Sequence, residues 1–122
     1  MTAPWQEHGA LSRGVFAVAV LVSLAVLFAP PSDVPTSPPG VDKVVHLLLF
    51  LLLAVTGRWA GVGRAVLAAV LVLYAAGSEV VQGLPIVGRD SSVLDGCADV
   101  LGIAAGLALW VALTRSRRPA DR

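Results

Sequence analysis

Three uncharged stretches of this 122-residue chain are each too short to cross a bilayer alone. Fourteen residues separate Lys43 from Arg58, 14 separate Arg64 from Glu79, and 15 separate Asp99 from Arg115. A helix rises about 1.5 Å per residue, so such runs reach roughly 20–23 Å against a hydrocarbon layer about 30 Å thick. A membrane helix built on any of them must take in the next polar residues. These are Asp42, Lys43 and His46 on one segment, Glu79 and Gln82 on another, and Asp95 and Asp99 on the last. Ionisable groups at such depth are costly and line cavities or sites, so function is expected in this layer.

The rest of the composition agrees with a single integral membrane domain. Hydrophobic residues make up 57% of the chain and charged residues 14%, with a mean hydropathy of +0.82. A soluble bundle with short buried helices would need polar outer faces on all of them, and the charges for those faces are lacking. Cys97 is the only cysteine. That excludes an intrachain disulfide and a cysteine-cluster metal site, and Cys97 is expected to be a small apolar residue on a packed helix.

Charge distribution sets a topology. Seven of nine basic residues, Arg13, Arg58, Arg64, Arg115, Arg117, Arg118 and Arg122, lie before the first apolar segment, between the second and third, or after the fourth. Only Lys43 and Arg89 lie in the other two connections. The positive-inside rule then places both termini in the cytoplasm and six of eight acids, Asp33, Asp42, Glu79, Asp90, Asp95 and Asp99, at or near the outer face. Trp5, Trp59 and Trp110 fall near the inner boundary, at headgroup depth. The basic tail is explained as an anchor, and no nucleic-acid partner is expected.

Four helices are expected. Residues 1–13 form a cytoplasmic arm, 14–114 a four-helix membrane domain and 115–122 the basic tail. The first helix spans about Gly14 to Ala29 and stops at Pro30 and Pro31. Its basic start and apolar middle also fit a secretory signal. Removing it would leave an odd number of spans and put the Arg-rich tail across the membrane from the middle loop, so it is retained. The second helix spans about Asp42 to Trp59, and the third about Ala65 to Leu84. The fourth runs from a Ser91 or Ser92 cap to about Thr114, with Asp95 favourable in its first turns. The short connection through Gly61 and Gly63 makes the second and third helices antiparallel neighbours.

Helical spacing decides which polar residues can cooperate. Asp42 and His46 share one face, as do Glu79 and Gln82, and Asp95 and Asp99. On the fourth helix Asp95, Asp99, Gly102 and Gly106 form one stripe, and small residues mark a face that another helix approaches closely. Ala75, Ala76 and Val72 lie below Glu79 and are read in the same way. The acids Asp42, Glu79, Asp95 and Asp99 outnumber the bases on that side, Lys43 and Arg89. The excess calls for a held proton, a bound cation or a donor-bearing substrate. His46, Glu79, Asp95 and Asp99 are of metal-ligand type, but they are scattered over three helices with no HExxH-like motif, and no metal is assigned.

The run Asp42-Lys43-x-x-His46-x-x-x-Phe50, then Glu79-x-x-Gln82, then Arg89-x-x-Ser92-x-x-Asp95-x-x-x-Asp99-x-x-Gly102-x-x-x-Gly106 resembles the VanZ-like family of small bacterial membrane proteins. The resemblance covers Asp42 to Gly106, 65 of 122 residues. It departs at Asp99, where the family commonly has asparagine. It implies a multi-pass protein of the bacterial plasma membrane, with a namesake linked to low-level resistance to the glycopeptide teicoplanin. It implies no defined reaction and no cofactor.

Two functions follow. In the first, the outer polar layer binds or processes an envelope substrate, lipid-linked or derived from the cell wall. His46, Glu79, Asp95 and Asp99 are then the candidate catalytic groups, and Asp42, Lys43, Gln82, Arg89 and Ser92 the candidate substrate-binding ones, with Arg89 as an anion clamp. In the second, the layer is a non-catalytic structural network in a partner-modulating protein. Transport through four short helices would need a homo-oligomer.

Overall fold

In a computed structural model, residues 9–29, 40–85 and 93–116 are described. They form four helices: α1 (Ala10–Phe28), α2 (Val41–Trp59), α3 (Arg64–Gln82) and α4 (Val93–Ser116). Helix α1 begins four residues before the expected Gly14. Nothing from Ala10 to Arg13 breaks a helix, and Gly9 serves as the N-cap. Helix α3 ends at Gln82, short of Leu84, because Pro85 disfavours helical geometry at the residue before it. Helix α4 continues past Thr114 to Ser116, with Arg115 in its last turn, where a cation meets the negative end of the helix dipole.

A Schellman turn joins α2 to α3. The Val62 amide donates to the Gly57 carbonyl and the Gly61 amide to the Arg58 carbonyl, both at 3.0 Å. Gly61 takes a φ of 99°, which only glycine adopts without strain. The Arg58 guanidinium closes the turn with a bond to the Val62 carbonyl at 2.8 Å.

The helices alternate in direction. Lys43 meets Asp95 and His46 meets Asp99, so α2 and α4 run parallel. Ser23 meets Tyr74 and Leu27 meets Gln82, so α1 and α3 run parallel to each other. The tight turn makes α3 antiparallel to α2. Helices α1 and α4 lie apart, each touching both α2 and α3. The closest pair is α2 with α4, where Gly102 and Gly106 lie against α2 backbone. A Cβ at Gly102 would overlap the Leu47 carbonyl, and one at Gly106 would lie 2.6 Å from the Leu51 carbonyl oxygen. The small-residue stripe is therefore a backbone-to-backbone contact.

The core consists of Leu27, Leu49, Phe50, Leu53, Ala54, Leu67, Leu71, Ala75 and Ile103, with Ala19 on α1. Tyr74 packs its ring against Phe50, centroids 5.6 Å apart. Its hydroxyl lies 2.8 Å from Ser23 Oγ. Ser23 spends its own proton on the Val20 carbonyl, so Tyr74 is the donor.

Outside the core the molecule is apolar. Leu73, Val80 and Leu21 are 72%, 67% and 66% exposed, among many valines and leucines facing outward on all four helices. Such a surface is incompatible with water and suits lipid. Helices α1, α3 and α4 are long and apolar enough to cross a membrane. Helix α2 has the same 19 residues as α1 and α3 but carries Asp42, Lys43 and Arg58 near its ends.

Candidate functional site: a buried imidazole–carboxylate cluster

The alternation gathers the polar layer at one end of the molecule. The first turns of α2 and α4 and the last turns of α1 and α3 all lie there. Three helices contribute to a single cluster.

At the mouth, Lys43 Nζ lies 3.1 Å from Asp95 Oδ1 and 3.2 Å from Asp42 Oδ2. The Asp95 side chain is 7% exposed, whereas Lys43 is about one-third exposed, its stem reaching inward to neutralise a buried acid. This pairing ties α2 to α4.

One turn deeper, His46 Nδ1 lies 2.7 Å from Asp99 Oδ1 and 3.8 Å from Glu79 Oε1. His46 and Asp99 are buried, and Glu79 is half-buried at the edge. One oxygen of Asp99, Oδ2, is enclosed with no hydrogen-bond partner among the described residues. His46 points into this cluster because α4 has no side chain at Gly102 to hold it away from α2. One imidazole between two carboxylates can orient, accept or pass a proton, or bind a cation.

Gln82, a candidate substrate-binding residue, is engaged between helices. Its Nε2 donates to the Leu27 carbonyl at 2.6 Å and its side chain is buried, tying the ends of α3 and α1 together. Three residues place Gln82 and Glu79 about 60° apart around α3, enough for one to face α1 and the other α4. Arg89 and Ser92, and the Ser91 cap, lie outside the described residues.

The face of α3 below Glu79 was expected to pack closely. Ala75 is buried, but Val72 and Ala76 instead line an open groove of about 660 Å³ between α3 and α4. Its other wall is Val93, Gly96, Cys97, Val100 and Leu101, and among the described lining residues Glu79 is the only carboxyl. Cys97 is thus exposed along the groove rather than packed. The α4 stripe that meets α2 already implied this second face: a helix with Asp95, Asp99 and Gly102 on one side turns Cys97 and Val100–Leu101 to another.

The chain matches no protein-family model, no curated protein and no solved structure.

Proposed function

We propose that this chain is a VanZ-like protein of the bacterial plasma membrane whose imidazole–carboxylate cluster binds or processes an envelope-related substrate, lipid-linked or derived from the cell wall. All four helices span. Asp42, Lys43 and Arg58 of α2 stand near its two ends, and the stretch between them is apolar apart from His46 and Thr56. Alternating helices bring Arg13, Arg58, Arg64 and Arg115 to the end opposite the cluster. The positive-inside rule makes that end cytoplasmic, with both termini, and turns the cluster outward.

The observation that carries the functional reading is the position of Glu79. It joins the enclosed His46–Asp99 pair to an apolar groove open to the surroundings. An amphiphile with its chain in the α3–α4 groove would bring its polar head to Glu79. There the carboxyl serves as a hydrogen-bond partner or general acid/base, with His46 held in orientation by Asp99. The motif run from Asp42 to Gly106 adds the link to glycopeptide tolerance. Arg89 and Ser92, which follow α3 and precede α4, would supply the contacts to a phosphate or carboxylate.

The second reading is a structural network, favoured by the near-complete enclosure of His46 and Asp99, 3% and 0% exposed. One experiment separates the two. Glu79→Gln, His46→Gln and Asp95→Asn are expressed in a host lacking the protein, and teicoplanin tolerance is compared with folded yield. Gln82→Leu, which removes an interhelical tether away from the cluster, serves as reference. Loss of tolerance at normal yield for Glu79→Gln is expected. Tolerance that simply tracks yield across all four variants would establish the network reading.

A further inference from the structure

We propose that His46, Glu79 and Asp99 form a binding site for one divalent zinc-class metal ion. The proposal concerns the same cluster as the functional reading and deepens it, yet it requires no particular substrate.

Geometry is the first support. His46, Glu79 and Asp99 each offer one ligand atom, and the three atoms lie within 4.8 Å of one another. Ligand atoms about 2.0–2.2 Å from a tetrahedral zinc stand roughly 3.3 Å apart. The separations of 2.7 Å from His46 Nδ1 to Asp99 Oδ1 and 3.8 Å to Glu79 Oε1 straddle that value. Small rotations of the two carboxylates would open the Asp99 distance and close the Glu79 one. Three helices supply one ligand each, so the ligands are held by the fold rather than by a loop.

The second support is independent of that spacing. Asp99 Oδ2 is buried, with no hydrogen-bond donor among the described residues, and Asp99 is fully enclosed. A carboxylate oxygen does not remain so in apolar surroundings without a positive partner. Lys43 is the one described Lys or Arg at this end, and Asp42 and Asp95 already engage it. Two carboxylates and a neutral imidazole carry a formal charge of −2, which a divalent ion cancels. Imidazole nitrogen favours zinc over magnesium and calcium, which prefer all-oxygen shells.

Three protein ligands also leave a tetrahedral ion with one open position. Glu79 is both a ligand and a wall of the α3–α4 groove, so the groove leads to the centre.

The test uses the full chain purified in detergent, stripped with chelator and dialysed against zinc. Elemental analysis gives the stoichiometry, competition with a chromophoric chelator the affinity, and thermal melting the linked stabilisation. One zinc per chain is expected, with a melting temperature that rises on zinc addition. Glu79→Gln, the least buried of the three, should fold and lose at least tenfold in affinity together with the zinc-dependent rise. His46→Gln and Asp99→Asn should do the same. A double variant lacking the other soft ligands, His8→Asn with Cys97→Ser, should retain the site. Magnesium or calcium should not compete. Binding below one per chain, binding undiminished in folded Glu79→Gln, or binding lost in the His8/Cys97 variant would overturn the proposal. Because no antibiotic or lipid enters the assay, a negative result here leaves the envelope-substrate reading to its own test.

Discussion

His46 and Asp99 meet at 2.7 Å because, one turn further along α4, Gly102 rests on the backbone of Leu47, the residue after His46. The polar contact and the small-residue contact are two parts of one interface. A side chain at Gly102 would push α4 from α2 and lengthen the imidazole–carboxylate distance. Lys43 with Asp95 continues the same seam toward the mouth, and Gly106 with Leu51 toward the interior. The bundle thus spends its tightest packing on holding charged groups in register, while the α3–α4 side stays open.

Asp99 is the residue to change first. Asparagine keeps the size of the side chain and a hydrogen bond to His46 Nδ1, so Asp99→Asn should cost about 1–2 kcal/mol in detergent melting. Leucine removes the partner and leaves His46 beside Glu79 in an apolar setting. Asp99→Leu should therefore cost about 3–5 kcal/mol or abolish folded yield. Equal melting temperatures for the two variants would mean that the 2.7 Å contact contributes nothing to the fold.

Glycine position should matter more than glycine number. Gly102→Ala sets a methyl group against the Leu47 carbonyl, where backbone rather than a flexible side chain must move. A loss of about 1–3 kcal/mol is expected, with the His46–Asp99 contact strained in consequence. Gly77→Ala, on the same bundle with nothing within 4 Å of the added carbon, should be neutral or gain about 0.5–1 kcal/mol from helix propensity. Comparable melting shifts for the two substitutions would contradict the close approach of α4 to α2.

The sequence made some of this legible and hid the rest for identifiable reasons. Spacings of three and four placed Asp95, Asp99, Gly102 and Gly106 on one face, and that face does meet α2. The same rule put Gln82 with Glu79, but a 60° offset is enough for neighbouring helices to claim them separately, and Gln82 went to the Leu27 carbonyl. Small residues misled at Val72 and Ala76. Smallness permits close contact without requiring it, and here a groove lies between α3 and α4. A tyrosine hydroxyl in an apolar span needs a polar partner. For Tyr74 that partner, Ser23, lies 51 residues away, and no local pattern could point to it.

The orientation of the bundle yields the last prediction. Gly83 caps α3 at the cluster end, and Gly63 precedes α3 at the opposite end; both are exposed. Neither has positive φ, and a side chain at Gly63 meets nothing within 4 Å. In a Cys97→Ser background, the proposed orientation, with the cluster end outward, predicts that Gly83→Cys reacts with a membrane-impermeant maleimide added to intact cells. The same orientation predicts that Gly63→Cys reacts only after lysis, because the positive-inside rule assigns the turn carrying Arg58 and Arg64 to the cytoplasm. The reverse pattern would invert the topology and place the cluster toward the cytoplasm. Labelling of both positions in intact cells would mean that α3 does not cross the membrane, and the outward-facing site would have to be abandoned.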